Sequence, residues 1–193
     1  MSSPSPRTSA GRAAVFLDRD GTLNRLVVRD ESLASPRLMS EFELFPDALD
    51  AVRLFREFGL LVFVVTNQPD VARRLLAESE LRRMSARLSD VLAPDAILVC
   101  THDDRDACDC RKPAPGMLVH LADRWNVDLT RSFMIGDSWR DMEAGRRAGC
   151  MTIFVRREEP NKNAAHHPIS SDVTVPTLLD AAHYIAAHRT QDR

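Results

Sequence analysis

A chain of 193 residues, 44% hydrophobic and 28% charged, is long enough to bury a core and short enough for one domain. Its 26 Lys and Arg against 28 Asp and Glu leave a formal charge of −2, which excludes a global field holding it on nucleic acid or an anionic membrane, so an anionic ligand must be attracted locally. With 4 cysteines, three of them between Cys100 and Cys110, a disulfide scaffold is excluded and a metal in a reducing compartment, the cytoplasm, is favoured.

Met1 to Ala10 is rich in Ser and Pro without the apolar run of a signal peptide, so it is expected to be a disordered tail ahead of one domain over 11–193. No segment reaches the length of a membrane span. The first ordered signal is the apolar run Ala13 to Leu17, a buried strand that stops on the polar cluster Asp18-Arg19-Asp20-Gly21-Thr22. Helical spacing of Ala48, Val52, Phe55 and Phe58 predicts a helix over 47–58, with Pro46 before it and Gly59 after. Leu60 to Val65 is the next strand and ends at Thr66-Asn67-Gln68; a helix over 79–92 then precedes a strand over 96–99.

The alternation continues past a cysteine-rich loop. A helix is predicted over 115–126, a strand over 133–135 ending at Gly136-Asp137, a helix over 140–148, and a strand over 151–155. Residues 157–171 read as a polar loop, 172–175 as an edge strand and 176–188 as a closing helix. Strand and helix in alternation imply right-handed crossovers and a doubly wound, mainly parallel α/β sheet, which binds ligands at the carboxyl ends of its strands. The polar clusters all fall there.

Cys100-x-His102 followed by Cys108-x-Cys110 places three thiols and an imidazole on one short loop. That composition suits a tetrahedral Zn²⁺, and with all four positions filled by protein the metal would fold the loop rather than catalyse. The loop runs into Arg111 and Lys112, so zinc would fix their position. Cys150 stands alone before an apolar run and reads as a small core residue.

Taken singly, the other polar clusters are ambiguous. Asp18 and Asp20 fit a solvated turn, Asp137 and Asp141 a helix cap and a first-turn acid, Thr66 an ordinary strand end, and Arg111-Lys112 surface charge. Their joint order resembles the haloacid dehalogenase superfamily. Asp18 to Thr22 matches its Asp-x-Asp-Gly-Thr signature, Thr66 its second motif, Lys112 its third, and Gly136-Asp137 with Asp141 its fourth, Gly-Asp-x-x-x-Asp.

The resemblance implies a Rossmann-like core without a large cap, and a phosphatase in which Asp18 attacks phosphorus while Asp20 serves as general acid and base. Thr66 and Asn67 would bind phosphate oxygens, Arg111 and Lys112 would contact the substrate's phosphate, and Lys112 would also hold the nucleophile. Mg²⁺ would be held by Asp18, the Asp20 carbonyl and Asp137, with Asp141 in support. The zinc loop, Cys110 to Met117, and Gly136 to Asp141 resemble the heptose 1,7-bisphosphate 7-phosphatase branch, with histidinol-phosphate phosphatases and enzymes for other small sugar phosphates as alternatives. The expected partner is therefore a small phosphorylated sugar, with no nucleic acid and no membrane, and the expected state is a monomer. Polynucleotide 3′-phosphatases share these motifs, but net −2 with 8 Phe, 2 Trp and 1 Tyr offers little basic or aromatic platform. A non-catalytic zinc-stabilised binding module has no need to keep these buried like charges together.

One departure from the family pattern falls beside the second motif. Where the family continues Asn-Gln-Ser-Gly-x-Ala-Arg-Gly, this chain has Asn67-Gln68-Pro69-Asp70-Val71-Ala72-Arg73-Arg74. A loop that borders the substrate is altered, so the chemistry is expected to survive while the choice of sugar phosphate is left open at this point.

Overall fold

The computed structural model describes residues 11–157 and 169–191; the tail expected over 1–10 and most of the expected 157–171 loop lie outside them. Six parallel strands form one sheet in the order β5-β4-β1-β6-β7-β8: β1 Ala14–Leu17, β4 Leu61–Asn67, β5 Ala96–Cys100, β6 Phe133–Gly136, β7 Met151–Val155 and β8 Val173–Val175. The helices α1 Ala48–Glu57, α2 Glu78–Leu92, α3 Gly116–Trp125, α4 Trp139–Ala148 and α5 Leu178–Gln191 cover both faces. Each agrees with its expected span to within a few residues.

Strand alternation sends side chains into two cores. Val15 and Leu17 pack with Val52, Phe55, Leu88 and Ile185 from α1, α2 and α5. On the opposite face Ala14 and Phe16 pack with Leu118 and Leu121 from α3 and with Met134, and Phe63 lies between Phe16 and Trp125 at centroid distances of 5.4 and 5.6 Å. Both faces of the central strands are buried, which is why they read as unbroken apolar runs.

From β1 the chain builds outward through β4 and β5, then returns to the other flank of β1 to lay down β6, β7 and β8. That reversal opens a crevice at the carboxyl ends of β1, β4 and β6. A two-stranded hairpin, β2 Val27–Arg29 with β3 Ser32–Ala34, rises beside it and was not expected from the sequence. No large cap stands over the crevice among the described residues, and no helix is long and apolar enough to cross a membrane.

Candidate active site

Asp18 follows β1, Thr66 and Asn67 close β4, Asp137 follows β6, and Lys112 enters from the loop after β5. The Lys112 ammonium donates to Asp18 Oδ1 and Asp141 Oδ1, each at 2.6 Å, and to the Val65 carbonyl at 2.8 Å. Burial opposes the charge on Lys112, but Asp141 and Asp18 outweigh it and raise its pKa above the ordinary lysine range. The lysine backbone is fixed as well: Asn67 Oδ1 accepts from Lys112 N at 3.1 Å and Asn67 Nδ2 donates to the Lys112 carbonyl at 2.9 Å. The side chain of Asn67, expected on phosphate, is thus committed to placing Lys112.

Asp18, Asp137 and Asp141 each offer an oxygen within 4.8 Å of the others. Two glycines permit this crowding. A Cβ on Gly21, whose φ is +83°, would lie 2.0 Å from Asp137 Oδ2, and one on Gly136 would lie 2.5 Å from the Asp141 side chain. Burial, then Asp141, pushes the Asp18 carboxyl up to about 7 against the pull of Lys112, and burial with Asp18 and Asp141 raises Asp137 well above the usual carboxylate range. Three clustered carboxylates with one ammonium are short of positive charge, and an all-oxygen donor set of this kind fits a hard divalent cation.

Asp20 stands in a different environment two residues on. Arg19 grips both of its oxygens at 2.9 and 2.8 Å, Gln68 Nε2 donates at 2.7 Å and Asn24 Nδ2 at 3.0 Å. Burial would raise this carboxyl, yet Arg19 and the two amides hold it below its ordinary value. Gln68 Nε2 also donates to Thr66 Oγ1 at 2.9 Å, joining the second motif to the first. Asp18, Asp20, Thr66, Asn67, Gln68, Lys112, Asp137 and Asp141 line a cavity of about 440 Å³, whose wall also includes Leu33 of the hairpin, Arg37 just past it, and Arg111, Trp139 and Arg140.

Behind Lys112 lies a second cluster. Cys110 Sγ is 3.1 Å from Cys100 Sγ and 3.4 Å from Cys108 Sγ, and His102 Nδ1 is 3.2 Å from Cys110 Sγ. The four cysteines are free thiols. Ligands about 3.8 Å apart surround a tetrahedral ion bound to sulfur at about 2.3 Å, so this loop is close to the shape of a four-coordinate metal site. Cys150 is buried in the core as expected, its thiol pushed up to about 12 by burial.

A curated relative, the D-glycero-beta-D-manno-heptose-1,7-bisphosphate 7-phosphatase of Pseudomonas aeruginosa, is 34% identical over 150 residues, which are 75% of this chain and 82% of that protein. The chain belongs to the haloacid dehalogenase-like phosphatases. The Rhodopseudomonas palustris enzyme of the same name is 37% identical over 77% of this phosphatase and 84% of its own length. A HAD-hydrolase-like family model matches residues 109–181. Among solved structures, D,D-heptose 1,7-bisphosphate phosphatase from B. bronchiseptica, complexed with magnesium and phosphate, aligns over 91% of the phosphatase and 99% of that chain with a TM-score of 0.80 and 30% identity.

The structure brings together Asp18, Asp20, Thr66, Asn67, Lys112, Asp137 and Asp141 in one crevice, and Cys100, His102, Cys108 and Cys110 beside it. Arg111 lines the cavity, but its Nε donates to Asp104 Oδ1 at 2.8 Å rather than standing ready for a ligand. Sequence reasoning missed Arg19, Asn24 and Gln68 as the cage around Asp20. Their signal was adjacency: Arg19 lies inside the first motif, Asn24 just after it, and Gln68 just past the second.

Proposed function

We propose that this phosphatase is a Mg²⁺-dependent phosphomonoesterase that works through an aspartyl-phosphate on Asp18 and removes the 7-phosphate of D-glycero-D-manno-heptose 1,7-bisphosphate. The observation that carries the mechanism is the pairing of Asp18 with the buried Lys112 at 2.6 Å, in a cavity that also holds a second carboxylate, Asp20, in a contrasting environment. The substrate follows the relatives named above, all of which act on that bisphosphate by name.

Lys112 and the Thr66 hydroxyl receive the phosphate oxygens, with Asn67 holding Lys112 in place. One oxygen of Asp18 attacks phosphorus, the bond from phosphorus to the sugar oxygen breaks, and that oxygen leaves as an alcohol with a proton from Asp20. Asp20 then takes a proton from water as the water oxygen attacks the acyl phosphate, which releases inorganic phosphate and restores Asp18. The cage of Arg19, Gln68 and Asn24 favours the ionised Asp20 of this second step, so the first step needs the carboxyl to take up a proton against that cage. Asp18, Asp137 and the Asp20 carbonyl, with Asp141 in support, would hold Mg²⁺, which when bound supplies the positive charge that lets a phosphate dianion approach carboxylates.

Cys100, His102, Cys108 and Cys110 would hold a structural Zn²⁺, with thiols kept reduced in the cytoplasm, and the protein would act as a monomer. The test is phosphate release with Mg²⁺ from heptose 1,7-bisphosphate anomers, histidinol phosphate and other sugar phosphates, in wild type and Asp18→Asn. Turnover of the heptose bisphosphate that is lost in the variant is the expected result. Preference for another ester would replace the substrate and keep the mechanism, whereas activity surviving Asp18→Asn would remove the mechanism.

A further inference from the structure

The mouth of the cavity is tied by a continuous run of ion pairs that reaches from beside the hairpin to the loop carrying Arg111. Arg37, just past the hairpin, donates from Nε to Asp70 Oδ2 at 2.7 Å. Asp70 Oδ1 also lies 3.7 Å from Arg73, which grips Asp103 at 3.0 and 2.5 Å and lies 3.7 Å from Asp104. Asp104 in turn pairs with Arg111. Three loops that border the cavity are thereby joined, and Asp70 is the joint between the first and the second.

Asp70 stands where the family pattern has glycine, and its carboxylate, 16% exposed, lines the cavity together with Arg37 and Arg73. The two arginines differ in what they would lose without it. Arg73 keeps Asp103 on both nitrogens, whereas Asp70 is the carboxylate that pairs with Arg37 among the described residues. A guanidinium so placed is the natural partner of an anionic group on the far end of a substrate whose reacting phosphate lies at Lys112.

We propose that Asp70 is a specificity-determining residue that competes with the distal phosphate of a sugar bisphosphate for Arg37, so that this chain holds the second phosphate more weakly than the arginines at its mouth would allow. The proposal rests on the phosphatase reading above. Asp70 acts on the substrate through two effects of one sign: it occupies the guanidinium, and it places a negative charge beside the position a second phosphate would take. The sugar monophosphate lacks the distal group and feels neither.

The experiment compares wild type with Asp70→Asn, which keeps the shape of the side chain, and with Asp70→Gly, on heptose 1,7-bisphosphate, heptose 7-phosphate and p-nitrophenyl phosphate. Both variants should lower KM for the bisphosphate about fivefold with kcat unchanged, leave the monophosphate and p-nitrophenyl phosphate within about twofold, and lose the gain at high salt or when Arg37→Gln is added. A bisphosphate KM that stays the same or rises in both variants, an equal gain on all three substrates, or a gain that survives Arg37→Gln overturns the role of Asp70. Turnover of p-nitrophenyl phosphate by wild type, lost in Asp18→Asn, reports separately on the phosphatase chemistry, so the failure of one reading is not mistaken for failure of the other.

Discussion

The carboxylate cluster and the thiolate cluster stand at the same edge of the sheet, joined through Arg111 and Lys112, and they are assembled differently. Asp18, Asp137 and Asp141 arrive from the ends of β1 and β6 and from α4, and only the finished fold brings their oxygens within 4.8 Å. Cys100 closes β5 and is buried, while His102, Cys108 and Cys110 follow it within ten residues on the next loop, so this cluster is gathered by chain neighbourhood around one strand end. The first cluster opens on a cavity and keeps a charge imbalance, with Asp18 pushed up to about 7. The second turns its four ligands on one another. An open cluster short of positive charge suits a centre that receives a phosphate, while a closed one is the arrangement expected of a metal that ties down a loop.

Substitution on the carboxylate side should have the largest effect. Lys112→Gln removes the ammonium that Asp18, Asp141 and Val65 share, and kcat should fall about a thousandfold, as for loss of a preorganised oxyanion donor. Thermal unfolding without Mg²⁺ should drop as well, because the buried carboxylates then face each other unbalanced, and added Mg²⁺ should recover much of the stability but little of the rate. A variant that kept a tenth of wild-type kcat would mean that Lys112 serves the fold alone.

Cys108→Ser tests the other cluster. Zinc content measured by atomic emission should fall to near zero, and kcat should fall about a hundredfold or less, because loss of the metal acts on Lys112 only through the backbone. The Asn67 bridge to Lys112 limits that damage. Equal losses in Cys108→Ser and Lys112→Gln would erase the distinction between a structural and a chemical centre.

How far each region was legible in the sequence follows the same division. The Cys/His cluster could be read as a candidate metal site because its residues are neighbours in the chain. Strands β1, β4, β6 and β7 were legible because burial on both faces leaves them largely apolar, and the first three end at residues that matched a motif. The hairpin was not, since Val27–Arg29 and Ser32–Ala34 are three-residue strands, half buried and without a full alternating pattern. The cage on Asp20 was missed because Gln68 reaches it across 48 residues of sequence. The same holds for the pairing of Arg37 with Asp70, 33 residues apart: Asp70 stands out as a departure from the family pattern, but its partner cannot be read until the loops are placed.

The charge imbalance of the first cluster gives a pH signature that the second should lack. Asp18 rises from 3.8 to about 7 on folding, so between those values the folded chain binds more protons than the unfolded one. Stability without Mg²⁺ therefore falls as pH rises through that window. Asp137, also raised, adds to the fall. Scanning calorimetry on Mg²⁺-free protein should show Tm dropping by several degrees from pH 5 to pH 8, and Mg²⁺ should restore more of it at pH 8 than at pH 5. A Tm that rose with pH over this range would show that the carboxylates are better compensated than their spacing implies.

The smallest expected effect separates helix capping from chemistry inside the first cluster. Asp141 is the third residue of α4, and its Oδ2 accepts from Ser138 N at 3.1 Å and Ser138 Oγ at 2.6 Å while its Oδ1 faces Lys112. One carboxylate therefore closes the start of the helix and orients the lysine. Ser138→Ala keeps the backbone donor and loses the hydroxyl donor to Asp141, so stability should fall by about 1 kcal/mol, the usual net worth of one hydrogen bond. With the Lys112 contact intact, kcat should stay within about threefold. Urea unfolding and steady-state kinetics on the same preparation measure both. A larger loss of kcat than of stability would place Ser138, which lines the cavity, in contact with the substrate and would extend the chemical cluster into the helix cap.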